Sequence, residues 1–290
     1  VSHIRLWVDG ARPRTLTTAV TPVAVGAASA ISLHAHTPLL TFIALALAIA
    51  LQVGVNYAND YSDGVRGTDA TRVGPTRLVA SGAVRPSVVR RAAFLAFGIA
   101  ATLGLTLVVL SGAWLLLPIG ALSIAAAWGY TGGPRPYGYA GWGEVMVFVF
   151  FGPVATLGTV YVHAGFVTWW TILASMGVGL WAVALLLVNN VRDAQTDAAS
   201  GKNTLVVAVG ERWGRRALAA CVMAPLLIAT AVAFARPWSL ITLLTLLPSV
   251  LIAITAVSGL RGGGLRPVFT AVSATGLAYG LLLAFGIALG

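Results

Sequence analysis

Side-chain oxygens suited to a hard cation are concentrated in two stretches of this chain. The first, "NYANDYSDGVRGTD" at 56–69, carries Asn56, Asn59, Asp60, Asp63 and Asp69. The second, "NNVRDAQTDAASGKNT" at 189–204, carries Asn189, Asp193, Asp197 and Lys202, the chain's single lysine. Carboxylates crowded together either take up protons or require a counter-charge. Mg2+ is the expected cation, because it binds through a few carboxylates, waters and substrate phosphate oxygens. Cys221 is the one cysteine, so an intrachain disulfide is excluded, and no His/Cys cluster points to zinc.

At 100° per residue, Asn56, Asn59, Asp60 and Asp63 fall within about 100° of one another on a helix. Asn189, Asp193 and Asp197 recur at every fourth residue and also share a face. Gly64 and Gly67 are expected to break the first helix, which leaves Asp69 in the following loop. The clusters lie four apolar runs apart, so their helices run in the same direction, a hint of internal duplication. Cations and aromatics accompany the acids: Arg66, Lys202, and the loop "YTGGPRPYGYAGWGE" at 130–144 with Tyr130, Arg135, Tyr137 and Tyr139. Arg and Lys complement phosphate oxygens. The "GKNT" of 201–204 lacks the upstream glycine of a phosphate-binding Walker loop.

The elements that carry these residues are apolar. The chain has 290 residues, 58% hydrophobic and 9% charged, far below the roughly 25% charged residues of soluble domains. Nine runs approach the length needed to cross a bilayer, about 20 residues: 16–33, 38–58, 92–110, 113–130, 144–163, 169–189, 216–234, 238–258 and 267–289. The expectation is an all-α integral membrane protein with nine transmembrane helices, forming one domain over residues 1–290. The net charge of +10 does not point to nucleic acid. With a cytoplasmic N-terminus, every basic residue except Arg236 falls on the cytoplasmic side, the distribution that sets membrane orientation. All the acids fall there too, so the chemistry is expected to face the cytoplasm. The same field suits anionic lipid head groups or an anionic substrate.

In this setting "RPRTL" (12–16), "NDYSDGVRGTD" (59–69), "PRPYGYAGWGE" (134–144) and "NNVRDAQTDAASGKNTL" (189–205) resemble the UbiA superfamily of intramembrane aromatic prenyltransferases, in motif order and along the whole chain. The resemblance is greatest to its naphthoate branch. It implies helices in a ring around a central cavity that opens towards the cytoplasm of the plasma membrane. It implies two substrates, a polyprenyl diphosphate drawn from membrane lipid and 1,4-dihydroxy-2-naphthoate. The acceptor would be prenylated with loss of its carboxylate, giving the demethylated quinol of menaquinone biosynthesis. Asn59, Asp60, Asp63, Asp193 and Asp197, helped by Asn56 or Asn189, would hold Mg2+. Lys202, Arg66 and Arg135 would grip the diphosphate, Arg12 the acceptor's acid group, and Tyr130, Tyr137 or Tyr139 would shield an allylic cation. One position departs from the broader family pattern: Gly67 stands where a last aspartate is expected, with Asp69 two residues on, and the role of Asp69 stays open.

Other readings are separable. 4-Hydroxybenzoate or homogentisate as acceptor differs only by substrate assay. A CDP-alcohol phosphotransferase would need a second acidic pair about twenty residues on, and 80–90 has no acid. A cation-coupled transporter places its ionisable groups near the membrane midplane, whereas these acids end their helices.

Overall fold

The computed structural model describes residues 3–68 and 77–290. Its elements are helical: α1 (His3–Ala11), α2 (Thr17–Ser32), α3 (Pro38–Arg66), α4 (Pro86–Ser111), α5 (Leu116–Gly129), α6 (Gly143–Val149), α7 (Ala155–Ala164), α8 (Trp169–Ala199), α9 (Leu205–Val209), α10 (Glu211–Val232), α11 (Leu246–Val257) and α12 (Arg266–Leu289). A π-helical turn at Phe150–Val154 joins α6 to α7 around Pro153, and 3-10 turns at Pro237–Thr245 lead into α11. No strand occurs among the described residues, only an isolated bridge between Ala140 and Asn203.

Seven of these helical stretches are long and apolar enough to cross a membrane, and α2 makes an eighth if it counts with the N-terminal segment, from which it bends by 51°. All nine apolar runs are helical, yet α5 has only 14 residues, about 21 Å, short of a hydrocarbon core of about 30 Å. Against the nine spans expected, the described residues give seven or eight, with α5 a shorter apolar helix.

α3 packs on α4, α8 on α10, α10 on α11, and α12 returns to α2, so the helices close on themselves. The largest core cluster joins α8, α10 and α12 around Trp181, Val222 and Tyr279. α8 is the most enclosed span, with 72% of its apolar window buried. It presents one face to this core and another to a cavity. Small residues let it sit so close: a Cβ on Gly152 would lie 2.8 Å from the Cα of Gly179 and 2.7 Å from the Ser175 carbonyl oxygen, the close approach that small residues permit between membrane helices.

The cavity, about 490 Å³, is lined by α2–α8, the Arg12–Thr15 segment and Lys202, and by no residue of α10, α11 or α12. It is thus off-centre in the bundle. The reason is side-chain volume: the α8–α10–α12 side is filled by Leu, Val, Trp and Tyr, while the cavity side carries Ala and Gly at 44, 48, 100, 101, 104, 120, 121, 155 and 158.

Candidate active site at the polar end of the cavity

α3 builds one wall of the cavity from a single stripe: Ala44, Leu47, Ala48, Leu51, Gln52, Val55, Asn56, Asn59 and Asp63. Steps of three and four keep them on one helix face for about 28 Å of rise. The stripe is apolar for its first half and, from Gln52 onwards, polar except at Val55. α8 does the same, with Ala182, Leu185 and Leu186 followed by Asn189 and Asn190. Both polar ends meet the loops at 130–144 and 200–204.

Asp63 is at the centre of that meeting. It is 2% exposed. Its Oδ1 accepts a 2.6 Å bond from the Tyr139 hydroxyl, and its Oδ2 lies 3.5 Å from the Lys202 ammonium. Lys202 is buried, lines the cavity, and stands 5.1 Å from the centre of the Tyr139 ring. Its backbone N–H donates to the Asp197 carbonyl at 2.8 Å, and Asn203 N–H donates to the Tyr139 carbonyl at 3.2 Å. The end of α8 is therefore tied through Lys202 and Tyr139 to the end of α3. Burial, reinforced by the Asp63 carboxylate, pushes the Tyr139 phenol well above its ordinary pKa, which keeps it a donor.

Asn59 lines the cavity and accepts 2.8 Å from the Thr131 hydroxyl. Asn56 also lines it, but its Nδ2 donates to the Ala11 carbonyl and to Thr15 Oγ1, so it holds the N-terminal segment in place. Asp60 turns away. It is fully buried, and its two oxygens accept the backbone N–H groups of Leu78 and Val79, each at 2.9 Å. It marks the edge of the expected stripe, and that edge faces the 77–84 segment rather than the cavity. Gly64, one turn further, does not end the helix as expected. It is a contact point, where a Cβ would meet the Val79 side chain at 2.5 Å. The helix ends at Gly67, whose φ of 75° caps it.

Arg66 is exposed and donates to the Thr131 and Gly133 carbonyls, stitching α3 to the 130–144 loop. Arg135 is exposed in that loop and does not line the cavity. Asp193 pairs through both oxygens with Arg192 at 2.7 Å, and neither it nor Asp197 reaches the cavity wall. Asn189 and Asn190 do reach it. Tyr130 and Tyr137 line the cavity with ring centres 5.6 Å apart, whereas the Tyr139 ring already faces Lys202 and Arg66. Arg12 lines the cavity from a left-handed backbone, φ 53°. That conformation costs a non-glycine residue on the order of 1–3 kcal/mol and collects at functional sites. Asp69 lies outside the described residues.

Sequence reasoning missed five polar members of the neighbourhood: Thr15, Gln52, Thr131, and Asn190 with Glu144, the Asn190 amide donating to the carboxylate at 2.8 Å. Gln52 had a usable signal, because it interrupts an apolar run four residues before Asn56 on the same face.

Among the described residues, no three of the acids, histidines and cysteines stand close enough to hold a metal by themselves. The donors nevertheless suit Mg2+: hard oxygens, with a buried carboxylate and an amide on the cavity wall. Mg2+ ordinarily completes its shell with waters and phosphate oxygens.

Comparison with known proteins agrees with this layout. The UbiA prenyltransferase family profile matches residues 19–267. The 1,4-dihydroxy-2-naphthoate octaprenyltransferase of Mycobacterium tuberculosis is 45% identical over 272 residues, covering 94% of this chain and 92% of that protein. The Escherichia coli protein of the same name is 39% identical over 232 residues, covering 78% and 75%. Among solved structures, a UbiA homolog from Aeropyrum pernix aligns with a TM-score of 0.69 at 18% identity, covering 95% of this chain and 97% of that one. A UbiA homolog from Archaeoglobus fulgidus bound to GPP and Mg2+ aligns with a TM-score of 0.68 at 15% identity, covering 98% and 99%.

Proposed function

The chain belongs to the UbiA prenyltransferase family, and from that premise we propose that it transfers a polyprenyl group from a polyprenyl diphosphate to 1,4-dihydroxy-2-naphthoate, as a step of menaquinone biosynthesis. The reaction releases the acceptor's carboxylate as CO2 and depends on Mg2+. The observation that carries this reading is a single cavity whose wall changes along α3 from alkyl side chains to Asn59, Asp63 and the buried Lys202. Such a cavity accepts a molecule that is hydrocarbon at one end and polyanion at the other.

The prenyl tail lies along the Ala44–Leu51 half of the stripe, and the diphosphate lies at Asp63 and Lys202. Asn59 and Asp63 would hold Mg2+ from the cavity wall, and Asp193 and Asp197 of α8, which stand behind that wall, would join them only by turning towards the cavity, Asp193 giving up its pairing with Arg192. When bound, the metal neutralises charge that builds on the leaving diphosphate. Lys202 exchanges its 3.5 Å pairing with Asp63 for phosphate oxygens, adding charge stabilisation where it develops. The allylic C–O bond breaks and its electron pair leaves with the diphosphate. The Tyr130 and Tyr137 ring faces stabilise the allylic cation, and the apolar walls keep water from it. The ring carbon that bears the carboxylate supplies the electron pair for the new C–C bond. Loss of CO2 from the ring restores aromaticity. Arg12 pairs with the acceptor's carboxylate until that loss.

The bias of basic residues supports a multi-pass protein of the plasma membrane with its N-terminus and the polar end of the cavity on the cytoplasmic side. The test is an acceptor panel on the reconstituted protein, with a long polyprenyl diphosphate and Mg2+. The expected result is prenylation of the dihydroxynaphthoate with equimolar CO2, abolished by EDTA and nearly abolished in Asp193→Ala. Turnover confined to 4-hydroxybenzoate or homogentisate would replace the acceptor. Ion flux without prenyl transfer would replace the reaction class.

A further inference from the structure

We propose that Gln52 determines acceptor specificity, its side-chain oxygen accepting a hydrogen bond from a ring hydroxyl of the aromatic acceptor. The proposal rests on the prenyl-transfer reading above and adds a recognition residue to it. Gln52 lines the cavity, is 6% exposed, and its Oε1 has no hydrogen-bond partner. An unpartnered buried amide oxygen is costly and needs an explanation.

Which end of the amide is unpartnered follows from its neighbours. The Thr15 hydroxyl donates its one hydrogen to the Arg12 carbonyl at 2.9 Å. Its oxygen accepts from Asn56 Nδ2 at 3.0 Å and from Gln52 Nε2 at 3.2 Å. A flipped Gln52 would set its oxygen against a hydroxyl oxygen that has no hydrogen left to give. The amide nitrogen is therefore anchored on Thr15, and Oε1 remains as an acceptor without a donor, on the wall of the cavity.

Its position fits an aromatic acceptor. Gln52 lies two helical turns, about 10 Å, from Asn59 on the same face of α3, at the boundary between alkyl wall and polar wall. Thr15 links it to the backbone of Arg12, the residue assigned to the acceptor's carboxylate. A ring with a carboxylate and a hydroxyl is thus met by a cation and by a neutral acceptor held in one hydrogen-bonded unit. An amide oxygen discriminates as a carboxylate would not: it takes the hydroxyl hydrogen without repelling the acid group. An acceptor without that hydroxyl leaves Oε1 unpaired in a site shielded from water, which penalises it roughly tenfold or more.

The experiment compares 1,4-dihydroxy-2-naphthoate with 1-hydroxy-2-naphthoate and with the 4-methoxy analogue, on reconstituted wild type and Gln52→Met. The readouts are the KM of the dihydroxy acid, inhibition constants for the two analogues, and the KM for polyprenyl diphosphate. The expected result is at least tenfold weaker binding of both analogues to the wild type, with that preference collapsing towards unity in Gln52→Met while the KM for polyprenyl diphosphate holds. Equal binding of the three acids to the wild type overturns the proposal without any variant. So does a Gln52→Met enzyme that retains the preference, or one in which both KM values rise together, as a merely structural role requires. A wild type that prenylates none of the three but accepts 4-hydroxybenzoate overturns the acceptor reading itself, a distinct outcome.

Discussion

At the scale of single residues, the acids of one short motif divide their work by the direction each faces on α3. Asp63 faces the cavity with a cation 3.5 Å away, while Asp60, three residues earlier, grips the backbone at 78 and 79. The two therefore differ on substitution. Asp63→Asn is expected to lower kcat/KM per folded molecule by roughly a hundredfold or more, because it removes a carboxylate that would hold Mg2+ at the diphosphate, with a smaller loss of thermal stability from leaving the buried Lys202 without its counter-charge. Asp60→Ala is expected to lower the melting temperature, because it strips the buried Leu78 N–H and the half-buried Val79 N–H of their partner, at a cost of about 1–3 kcal/mol for the buried group and less for the other. Its loss of activity follows the loss of folded protein. Matched melting curves and initial rates separate the two. Tyr139 is raised, not lowered, in pKa, so it acts as a donor to Asp63 and not as a base. Its neutral form is the one favoured in the folded protein, and the stabilisation this gives is complete below the unfolded phenol pKa of about 10 and is lost as pH rises beyond it. Tyr139→Phe is accordingly expected to scale activity down by a constant factor between about pH 6 and 9, with no change in profile shape.

At the scale of elements, the site depends on how closely α6–α7 approaches α8. Gly152 and Gly179 set that approach, and the obstacle to any larger residue is backbone, which cannot rotate aside. Gly152→Val is expected to destabilise by several kcal/mol or to block folding, since overpacking of a tight site costs typically 1–3 kcal/mol even where side chains can yield. Thermal denaturation in detergent or nanodiscs reads this directly. The 200–204 loop is the other critical element. It carries Lys202 to Asp63 by pairing its backbone with Tyr139 and with Asp197, so the two helix ends act as one site only while this loop is in place.

At the scale of the whole molecule, a solid half and a hollow half are set side by side. α10 and α12 fill one flank of α8, and the small residues of α4, α5 and α7 leave the other flank open. Gly158 borders the cavity about 22 Å of helix rise from the start of α6, and a Cβ there would meet nothing within 4 Å. Gly158→Phe is thus expected to fold normally, to keep turnover of the shortest prenyl diphosphates and to reject long ones. A chain-length series of donors measures this, and unchanged use of the longest donor would mean that the tail takes another route.

The amino-acid sequence by itself determined the class of structure, the helical runs and the residues from which the site is drawn, because hydropathy and helical spacing are local properties. Asn56, Asn59 and Asp63 were legible as one face, and Lys202 as the odd cation, from spacing and composition alone. What the tertiary structure decided is which neighbour each polar group meets. Asp60 lies within the same 100° arc as Asp63, yet a returning loop captures it. Gly64 reads as a helix breaker and is instead a docking point. Gln52 reads as one polar residue in an apolar run until Thr15, more than thirty residues away in sequence, takes up its amide nitrogen. Hydrogen bonds and close packing are settled by partners brought together across the chain, and no periodicity within a single helix encodes them.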